Sequence, residues 1–318
     1  MKKIKIAVLM DDISSINPKK DSSLAMMLEA NRRSWDIYTF DTHDMFVKDA
    51  EVFANCAKTK VTDNLENWYT KQANVDINLK EFDVILMRKD PPFDMDYIYA
   101  TYLLEQAENS GVLVVNKPQS LRDANEKLFA LNFPHCMPKT LVCANQNRIK
   151  EFIDQQNTVV VKPLDGMGGR DIFKLTHGDD NINEVLEYLT NNGKRQIITQ
   201  EFLSAISKGD KRILLINGKP IDYALARMPA KGNFKGNLAA GATGIGQELS
   251  SRDRYLCEQI SPTLKAKGLM FVGLDVIGDY ITEINVTSPT CIRELDSQFG
   301  LNIAGELFDV IEQHINHT

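Results

Sequence analysis

The stretch FVGLDVIGDYITEINVTSPTCIRE, residues 271–294, holds two short runs of apolar and β-branched residues separated by turn formers. It predicts two strands, Phe271–Ile277 and Ile281–Val286, joined by a loop of three residues, Gly278-Asp279-Tyr280. In such a hairpin the last residue of the first strand lies opposite the first residue of the second. This pairing decides which side chains share a face, because successive side chains of a strand point to opposite sides.

With that pairing, three polar side chains project from one face of the predicted hairpin. Asp275 lies opposite Glu283, and Asn285 follows two residues later on the same side. The other face carries the apolar residues Leu274, Val276, Ile284 and Val286, with Thr282 as the exception. A two-residue loop would place Glu283 beside Leu274 on the core side, at the cost of burying a charge. We therefore expect Asp275, Glu283 and Asn285 to project together.

Two carboxylates and an amide oxygen on one face form a set of hard oxygen donors. Such a set suits Mg²⁺, which takes a few protein oxygens and completes its shell with water and substrate phosphates. A solvent-facing polar side of an ordinary hairpin would have the same residues. The hairpin alone leaves both interpretations open.

The composition is that of an ordinary globular protein. The chain has 318 residues, of which 43% are hydrophobic and 25% are charged, enough for two or three domains. The net charge of −6 provides no general attraction to nucleic acid or to an anionic membrane, so we expect neither as a partner.

The cysteines and the N-terminus bear on the compartment. The five cysteines match no zinc motif and are odd in number, which indicates free thiols in a reducing compartment such as the cytoplasm. The basic start MKKIKIAVLM is followed at once by Asp11 and Asp12, which favours a first strand over a signal peptide. No apolar run reaches membrane-spanning length.

Strands and helices alternate in the first part of the chain. Strands are predicted at Ile4–Met10, Asp36–Phe40, Phe82–Met87 and Val112–Val115, and helices at 22–33 and Phe93–Asn109. This alternation is typical of a parallel α/β layer, and it places a Rossmann-like domain over about the first 120 residues. The stretch Thr42–Leu79 is weakly patterned and yields no prediction.

After Pro118 the pattern changes to that of an α+β domain. A helix is predicted at Leu121–Leu131, and the strands Lys211–Ile216 and Lys219–Ala226 form a hairpin across Asn217-Gly218. Other predicted strands are Thr140–Cys143, Thr158–Lys162, Asp171–Leu175 and Gln196–Phe202, and other predicted helices are Arg148–Gln155, Ile182–Thr190, Arg252–Lys267 and Ile303–Ile315. The glycine-rich residues Pro229–Gly246 are expected to form a loop.

A second glycine-rich loop, Asp165–Gly169, follows a strand that ends at Lys162. Its glycines would let backbone N–H groups turn towards an anion. The spacing matches neither a P-loop nor a dinucleotide-binding fingerprint, and a strand rather than a helix follows. A loop that folds over phosphates between two antiparallel strands and an ordinary hairpin turn both remain possible.

Several cations lie near strand ends and glycine-rich loops. Arg88 follows a strand of the α/β layer, where a cation is well placed for a carboxylate ligand. Lys127 lies on the predicted helix Leu121–Leu131, and Arg212 and Arg227 flank the strands of the Asn217-Gly218 hairpin. Each of these side chains, taken alone, is as well explained by an ordinary solvated cation.

Six blocks in order resemble the bacterial glutathione synthetase family of ATP-grasp ligases over nearly the whole chain. The blocks are ILMRKDPPFD (85–94), VNKPQSLRDANEKLF (115–129), VKPLDGMGG (161–169), KGDKR (208–212), GNLAAG (236–241) and GLDVIGDYITEINVTSPTCIRE (273–294). The resemblance implies an ATP-grasp fold, of mixed α/β and α+β class, behind an N-terminal pre-ATP-grasp domain. It implies domain bounds of 1–122, 123–202 and 203–318, with a flexible loop at 228–241.

The resemblance also implies roles for individual residues. ATP phosphates would be held by Lys127, Lys162, Gly166, Met167, Gly168 and Gly169, and adenine by Gln200, Glu201, Phe202 and Leu203, with Asp210 near the ribose. Asp275, Glu283 and Asn285 would hold two Mg²⁺ ions, for which Mn²⁺ could substitute. The catalytic cations would be Arg212, Arg227 and Lys235, and the substrate carboxylates would meet Arg88, Ser288, Thr290 and Arg293.

The implied reaction joins γ-glutamylcysteine to glycine with ATP, through an acylphosphate, and the implied assembly is a homotetramer. Lys235 stands where some relatives have an arginine, so this chain keeps the charge but lacks a planar bidentate donor there. Two alternatives remain at this point. One is another ATP-grasp ligase, of the D-alanine or glutamate type, and the other is a non-catalytic nucleotide-binding protein of the same fold.

Overall fold

The computed structural model describes residues 3–230, 232–236 and 242–317. Strands and helices alternate irregularly along the chain. The strands are β1 Lys5–Leu9, β2 Asp36–Phe40, β3 Met45–Lys48, β4 Glu51–Val61, β5 Tyr69–Lys71, β6 Val75–Asn78, β7 Val84–Met87, β8 Leu113–Val115, β9 Thr140–Cys143, β10 Thr158–Pro163, β11 Phe173–Thr176, β12 Ile197–Glu201, β13 Asp210–Ile216, β14 Lys219–Met228, β15 Thr243–Glu248, β16 Phe271–Ile277 and β17 Tyr280–Asn285. The helices are α1 Ser22–Arg32, α2 Met95–Asn109, α3 Pro118–Asp123, α4 Gln146–Gln156, α5 Ile182–Thr190, α6 Ser251–Ala266, α7 Ile292–Phe299 and α8 Ile303–His317.

The strands form three sheets. The first has the order β3-β4-β2-β1-β7-β8, with β5 and β6 also on β4, and its four strands β2, β1, β7 and β8 are parallel. The second, β11-β10-β12-β9, and the third, β15-β14-β13-β16-β17, are antiparallel. A parallel layer followed by two antiparallel sheets confirms the predicted mixture of α/β and α+β parts.

The weakly patterned stretch 42–79 is an antiparallel extension of the first sheet. Strand β4 runs antiparallel to β2 and also pairs with β3, β5 and β6. Its sequence, EVFANCAKTKV, alternates in burial only in part, since Cys56 and Ala57 are both buried. The buried face shifts by one residue there, from Val52, Ala54 and Cys56 to Ala57, Thr59 and Val61, and this break in period hid the strand from sequence patterns.

Two other expectations were wrong. The predicted helix Leu121–Leu131 ends at Asp123, because the Asn125 side chain accepts hydrogen bonds from the backbone N–H groups of Lys127 and Leu128 and so competes with the helix. Part of the predicted loop Pro229–Gly246 is the strand β15, which pairs with β14 along its length. Two of its residues are glycines, and pairing with a neighbour overrides their low strand propensity.

The first and last helices lie side by side. Helix α1 packs against α8, and the Trp35 ring lies 5.0 Å from the Phe308 ring, centroid to centroid. Arg33 forms ion pairs with Glu29 on its own helix and with Asp309 and Glu312 on α8. One buried cluster therefore combines side chains of β1 and α1 with those of the third sheet and α8.

The described helices are too short or too polar to cross a membrane. Among residues 3–230, 232–236 and 242–317, no helix combines the length and apolar character that a bilayer requires.

Candidate active site

A cleft lies between the second and third sheets and encloses about 860 Å³ of space, part of it open to solvent. It brings together most residues that the sequence singled out for nucleotide and metal. Its lining includes Lys127, Lys162, Gly166, Met167, Gly168, Gly169, Gln200, Glu201, Phe202, Leu203, Asp210, Lys235, Asp275 and Glu283. Segments far apart in the sequence therefore meet at one place.

The second sheet supplies one wall of the cleft through alternate residues of β10 and β12. Val160 and Lys162 point the same way along β10, and Gln200 on β12 lies directly opposite Val160. The loop after β10 turns through Gly168 and Gly169, which have φ values of 64° and 80°. This left-handed backbone is accessible to glycine at little cost, so the loop can close over the cleft.

Two buried lysines face the same carboxylate. Lys162 Nζ lies 3.0 Å from Glu283 Oε1, and Lys127 Nζ lies 3.8 Å from the same oxygen. Lys127 Nζ also donates a hydrogen bond to the Gly166 carbonyl oxygen at 2.7 Å. Burial alone would raise the pKa of Glu283, but the two lysines outweigh it and lower that pKa below its ordinary value. Glu283 is therefore ionised at neutral pH and keeps both lysines beside it.

Four charged side chains form a patch on the third sheet. Asp210 lies opposite Arg227 and Arg212 lies opposite Asp275 in the strand register. Arg212 Nε donates to Asp275 Oδ1 at 2.5 Å, while Arg227 donates to Asp210 Oδ2 at 2.5 Å and lies 3.0 Å from Asp275. Two arginines and two carboxylates thus neutralise one another across three strands.

The pKa values of the two carboxylates of this patch are shifted in opposite directions. Burial raises the pKa of Asp210 to about 7, although Arg227 acts in the opposite direction. Burial would also raise the pKa of Asp275, but Arg212 and Arg227 prevail and lower it below its usual range. Asp210 Oδ1 is buried and has no hydrogen-bond partner among the described residues. Such an atom fits a ligand that brings its own donor, for example a sugar hydroxyl.

The hairpin that carries Asp275 and Glu283 reaches the expected arrangement by a different route. Ile277 pairs with Tyr280, so the connection has two residues, Gly278 and Asp279, and the prediction of three was wrong. A β-bulge between the pairs of Asp275 and Val276 absorbs the extra residue and restores Asp275 opposite Glu283.

The bulge also changes the face on which Thr282 lies. The sequence placed this residue on the core side, whereas both Thr282 and Glu283 line the cleft. The Thr282 hydroxyl donates to the Asp275 carbonyl oxygen at 3.3 Å, which stabilises the bulged backbone. Two successive side chains can face the same way at a bulge, and no sequence pattern reveals where a strand contains one.

The oxygen donors of this hairpin fit a hard divalent cation. Asp275 and Glu283 supply ionised carboxylates at the cleft. Asn285 is not among the residues that line the cleft; it lies opposite Gly273 in the strand register, and its amide Nδ2 donates to the Gly273 carbonyl oxygen at 3.2 Å. Among the described residues no three His, Cys, Asp or Glu side chains are grouped as metal ligands. A Mg²⁺ ion held by so few protein oxygens would complete its shell with phosphate or water oxygens.

The loop 228–241, called the lid loop below, is described only in part. Phe234, Lys235 and Gly236 line the cleft, whereas residues 231 and 237–241 lie outside the described residues, together with most of the block GNLAAG. A Cβ on Gly236 would lie 2.5 Å from Asp210 Cβ, so glycine permits this end of the loop to approach the four-charge patch.

The predicted substrate residues lie at the end of the hairpin, where the chain returns to the first sheet. Arg88 is 5% exposed, and it donates to Ser23 Oγ at 3.1 Å and to the Pro289 carbonyl oxygen at 2.8 Å. Ser288 Oγ in turn donates to the Arg88 carbonyl oxygen at 3.3 Å. Arg88 therefore lies beside the segment 288–293 rather than in the nucleotide cleft.

The other two predicted substrate residues flank Cys291, which has a φ of 90°. Thr290 Oγ1 lies 3.7 Å from Cys291 Sγ. Arg293 forms an ion pair with Asp63 at 2.6 Å, and Asp63 belongs to the antiparallel extension of the first sheet. The extension thus reaches the segment 288–293, a contact that no pattern in residues 42–79 could suggest.

Several residues of the cleft were missed by the sequence analysis. They are Pro138, Val160, Arg170, Ile172, Ile206, Phe234, Ile277 and Thr282. Val160 and Ile277 could have been found, because each lies two positions from a predicted site residue on the same strand. Glu126 also lies at the junction of the sheets, and the only signal was its position next to Lys127.

Two family models match the chain consecutively. The model described as prokaryotic glutathione synthetase, N-terminal domain, matches residues 4–122. The model described as prokaryotic glutathione synthetase, ATP-grasp domain, matches residues 126–300. Together they span most of the sequence.

Curated relatives and solved structures agree with these matches. The chain is 54% identical to the glutathione synthetase of Pseudomonas syringae pv. tomato over 312 residues, which are 98% of each chain. It is 51% identical to the glutathione synthetase of Vibrio cholerae over 315 residues, 99% of each chain. D-alanyl-alanine synthetase A from Vibrio cholerae shares the fold, with a TM-score of 0.61, 12% identity and 100% of both chains covered. The chain belongs to the prokaryotic glutathione synthetase family, and its fold is the ATP-grasp fold.

Proposed function

We propose that the protein joins γ-glutamylcysteine to glycine at the expense of ATP and forms glutathione, ADP and phosphate. The observation that carries the proposal is the meeting of Lys127, Lys162, Asp275 and Glu283 in one cleft. Two cations and two ionised carboxylates at that spacing suit a nucleotide's phosphates and the metal ions that accompany them. The family to which the chain belongs supplies the substrate class.

Lys127, Lys162 and the loop Gly166–Gly169 hold the phosphates in this proposal. Adenine lies against Gln200, Glu201, Phe202 and Leu203, and Asp210 Oδ1 accepts a hydrogen bond from a ribose hydroxyl. This last assignment rests on the buried oxygen that lacks a partner. Asp275, Glu283 and Asn285 would hold two Mg²⁺ ions, or Mn²⁺ in their place. Bound there, the ions would neutralise charge that develops on the transferring phosphoryl group.

The cations of the four-charge patch serve the transfer itself. A carboxylate is a poor electrophile, and phosphorylation gives it a good leaving group in an acylphosphate. Arg212 and Arg227 lie beside the metal carboxylate Asp275, so each can exchange that partner for a phosphate oxygen when a metal ion occupies the carboxylate. Lys235 adds a third positive charge from the lid loop. Its ammonium group is a point charge and cannot make the paired hydrogen bonds of an arginine guanidinium.

The peptide substrate occupies the space at the segment 288–293 in this proposal. Its carboxylates are bound by Ser288, Thr290 and Arg293. Arg88, which lies beside this segment, also binds a carboxylate of the substrate. The lid loop 228–241 excludes water, because a hydrolysed acylphosphate would waste ATP. Glycine's amine then attacks the activated carbonyl carbon, and phosphate leaves.

The organisation of the chain follows the same proposal. Residues 1–122 form the pre-ATP-grasp domain, 123–202 the small ATP-grasp subdomain and 203–318 the C-terminal subdomain. A homotetramer is inferred from the family. A cytoplasmic location is supported by the five cysteines, which are free thiols and mostly buried.

Phosphate release tests the proposed function directly. We would supply ATP and Mg²⁺ with γ-glutamylcysteine, with glycine, or with both. Release that requires both substrates, together with formation of the tripeptide, is the expected result. Phosphate release that needs neither substrate would overturn the substrate assignment. So would release that needs two other substrates in place of γ-glutamylcysteine and glycine.

A further inference from the structure

We propose that Glu126 is a positioning residue, which fixes the end of the metal-binding strand against the glycine-rich loop; this inference rests on the proposed function. Glu126 lies in the turn after α3, between two residues that face the nucleotide side. Glu126 does not line the cleft between the two antiparallel sheets, so its role does not come from direct contact with the reacting groups.

One oxygen of Glu126 receives three hydrogen bonds. Oε1 accepts from the backbone N–H of Val286 at 3.0 Å, from the backbone N–H of Thr287 at 3.1 Å and from Thr287 Oγ1 at 2.9 Å. The Glu126 carbonyl oxygen accepts from the Ile284 N–H at 2.8 Å. Side chain and backbone thus bind three residues, Ile284, Val286 and Thr287, which lie on either side of Asn285, a proposed metal ligand.

The neighbours of Glu126 hold the glycine-rich loop in the same manner. Asn125 Nδ2 donates to the Leu164 carbonyl oxygen at 3.2 Å, and Lys127 Nζ donates to the Gly166 carbonyl oxygen at 2.7 Å. Three consecutive residues therefore bridge two segments, the glycine-rich loop and the end of β17. The turn 125–127 acts as a clamp between them.

The position of the clamp matters because strand β17 continues directly into the substrate segment 288–293. Val286 is fully buried and Thr287 is 5% exposed, so without Glu126 water cannot readily replace the lost acceptor. The two N–H groups would have to move to find partners, and Asn285 and Ser288 on either side would move with them. A displacement of about 1 Å at a reacting centre lowers the rate about 100-fold.

The effect should be larger on the peptide side than on the nucleotide side, because Ser288 follows Thr287 directly, whereas Asn125 and Lys127 still hold the glycine-rich loop. The hydrogen bonds to the glycine-rich loop come from Asn125 and Lys127, whereas the side-chain hydrogen bonds of Glu126 go to Val286 and Thr287. We expect Glu126→Ala to lower kcat/KM for γ-glutamylcysteine about 100-fold, with the KM for ATP changed less than about threefold. Glu126→Gln keeps a carbonyl oxygen and should retain activity within about tenfold of the wild type.

Hydrogen exchange provides a measurement that does not depend on activity. In Glu126→Ala the amides of Val286 and Thr287 should exchange at least about tenfold faster, while those of β10 and β13 keep their rates. Asp123→Ala is the matched control, since Asp123 is an exposed carboxylate of the preceding helix that bonds to Gln119 and not to β17. Thr287→Val, which removes one of the three bonds, should give a smaller loss and serves if the alanine variant does not fold.

Three outcomes would overturn the inference. They are unchanged kcat/KM in both Glu126→Ala and Thr287→Val, equal losses for ATP and for the peptide, and faster exchange throughout the sheets, which would mark a merely structural role. Failure of the proposed function is distinguishable, because a wild type that does not join the two substrates would still show whether Glu126 protects the two amides.

Discussion

Replacing Glu283 with glutamine would keep the shape of the side chain and one carbonyl oxygen but remove its charge. In the structure that charge faces Lys162 at 3.0 Å and Lys127 at 3.8 Å. A carboxylate that bridges metal ions supports Lewis-acid stabilisation worth several kcal/mol. Loss of about 4 kcal/mol of it would lower kcat about 1,000-fold, since each 1.36 kcal/mol corresponds to a factor of ten.

The same substitution should leave the fold intact. Lys162 keeps a carbonyl oxygen as acceptor, so the cost to the free energy of unfolding is about 1–3 kcal/mol, the range for a weakened buried polar contact. In a chain of this size that lowers Tm by only about 5 °C. The substitution is therefore expected to lower kcat about 1,000-fold while the protein stays folded at the assay temperature.

The assay is steady-state phosphate release with both substrates over a Mg²⁺ titration, beside a thermal melt. Glu248→Gln is the matched control, because Glu248 lies exposed on the edge strand β15 of the same sheet. Turnover near that of the wild type at ordinary Mg²⁺ concentrations would refute the metal role of Glu283. A collapse of Tm that accounts for the lost activity would refute the separation of the two effects.

Three further substitutions test other parts of the structure. Arg88→Lys should raise the KM for γ-glutamylcysteine about tenfold in steady-state kinetics. The reason is that a lysine cannot donate to both Ser23 and Pro289 from the same place. A fall in kcat alone would contradict this expectation. Gly236→Ala should lower kcat about tenfold, because the new Cβ would meet Asp210, and unaltered kcat would show that the lid loop adapts freely. Glu29 is expected to stabilise the fold in a pH-dependent way: burial raises its pKa, but hydrogen bonds from two arginines of α1 prevail and lower it from 4.5 to about 2. A lowered pKa means that the stabilisation is present above about pH 4.5 and is lost as the pH falls towards 2. The Tm difference between wild type and Glu29→Gln should therefore shrink as the pH falls from about 4.5 towards 2. A difference that stays constant would refute the stabilising role of the Glu29 charge.

The sequence predicted the parts of the fold that depend on local patterns. The hairpin at Asn217-Gly218 forms as expected, since its two turn residues have φ values of 47° and 74°, which this dipeptide readily adopts. Strands of the parallel layer and the pairing of Asp275 with Glu283 were also correct. In each case the deciding chemistry lies within a few neighbouring residues.

The features that escaped prediction are local irregularities of the backbone and contacts between distant segments. Thr282 faces the cleft because of a bulge, and Lys127 leaves its helix because Asn125 bonds to the backbone. The ion pair between Asp63 and Arg293 joins residues 230 positions apart. Neither hydrophobic periodicity nor residue type carries information about such partners.

The packing of α1 against α8 has a consequence for biosynthesis. The apolar side of α1, with Leu24 and Met27, belongs to the same buried cluster as Leu307 and Ile311 of α8. At a ribosomal rate of about 5–20 residues per second, α8 follows α1 after roughly 15–60 s. During that interval the nascent parallel layer exposes an unfinished core. A chaperone that binds apolar surfaces would find its target there, and it would lose that target when the last helix docks.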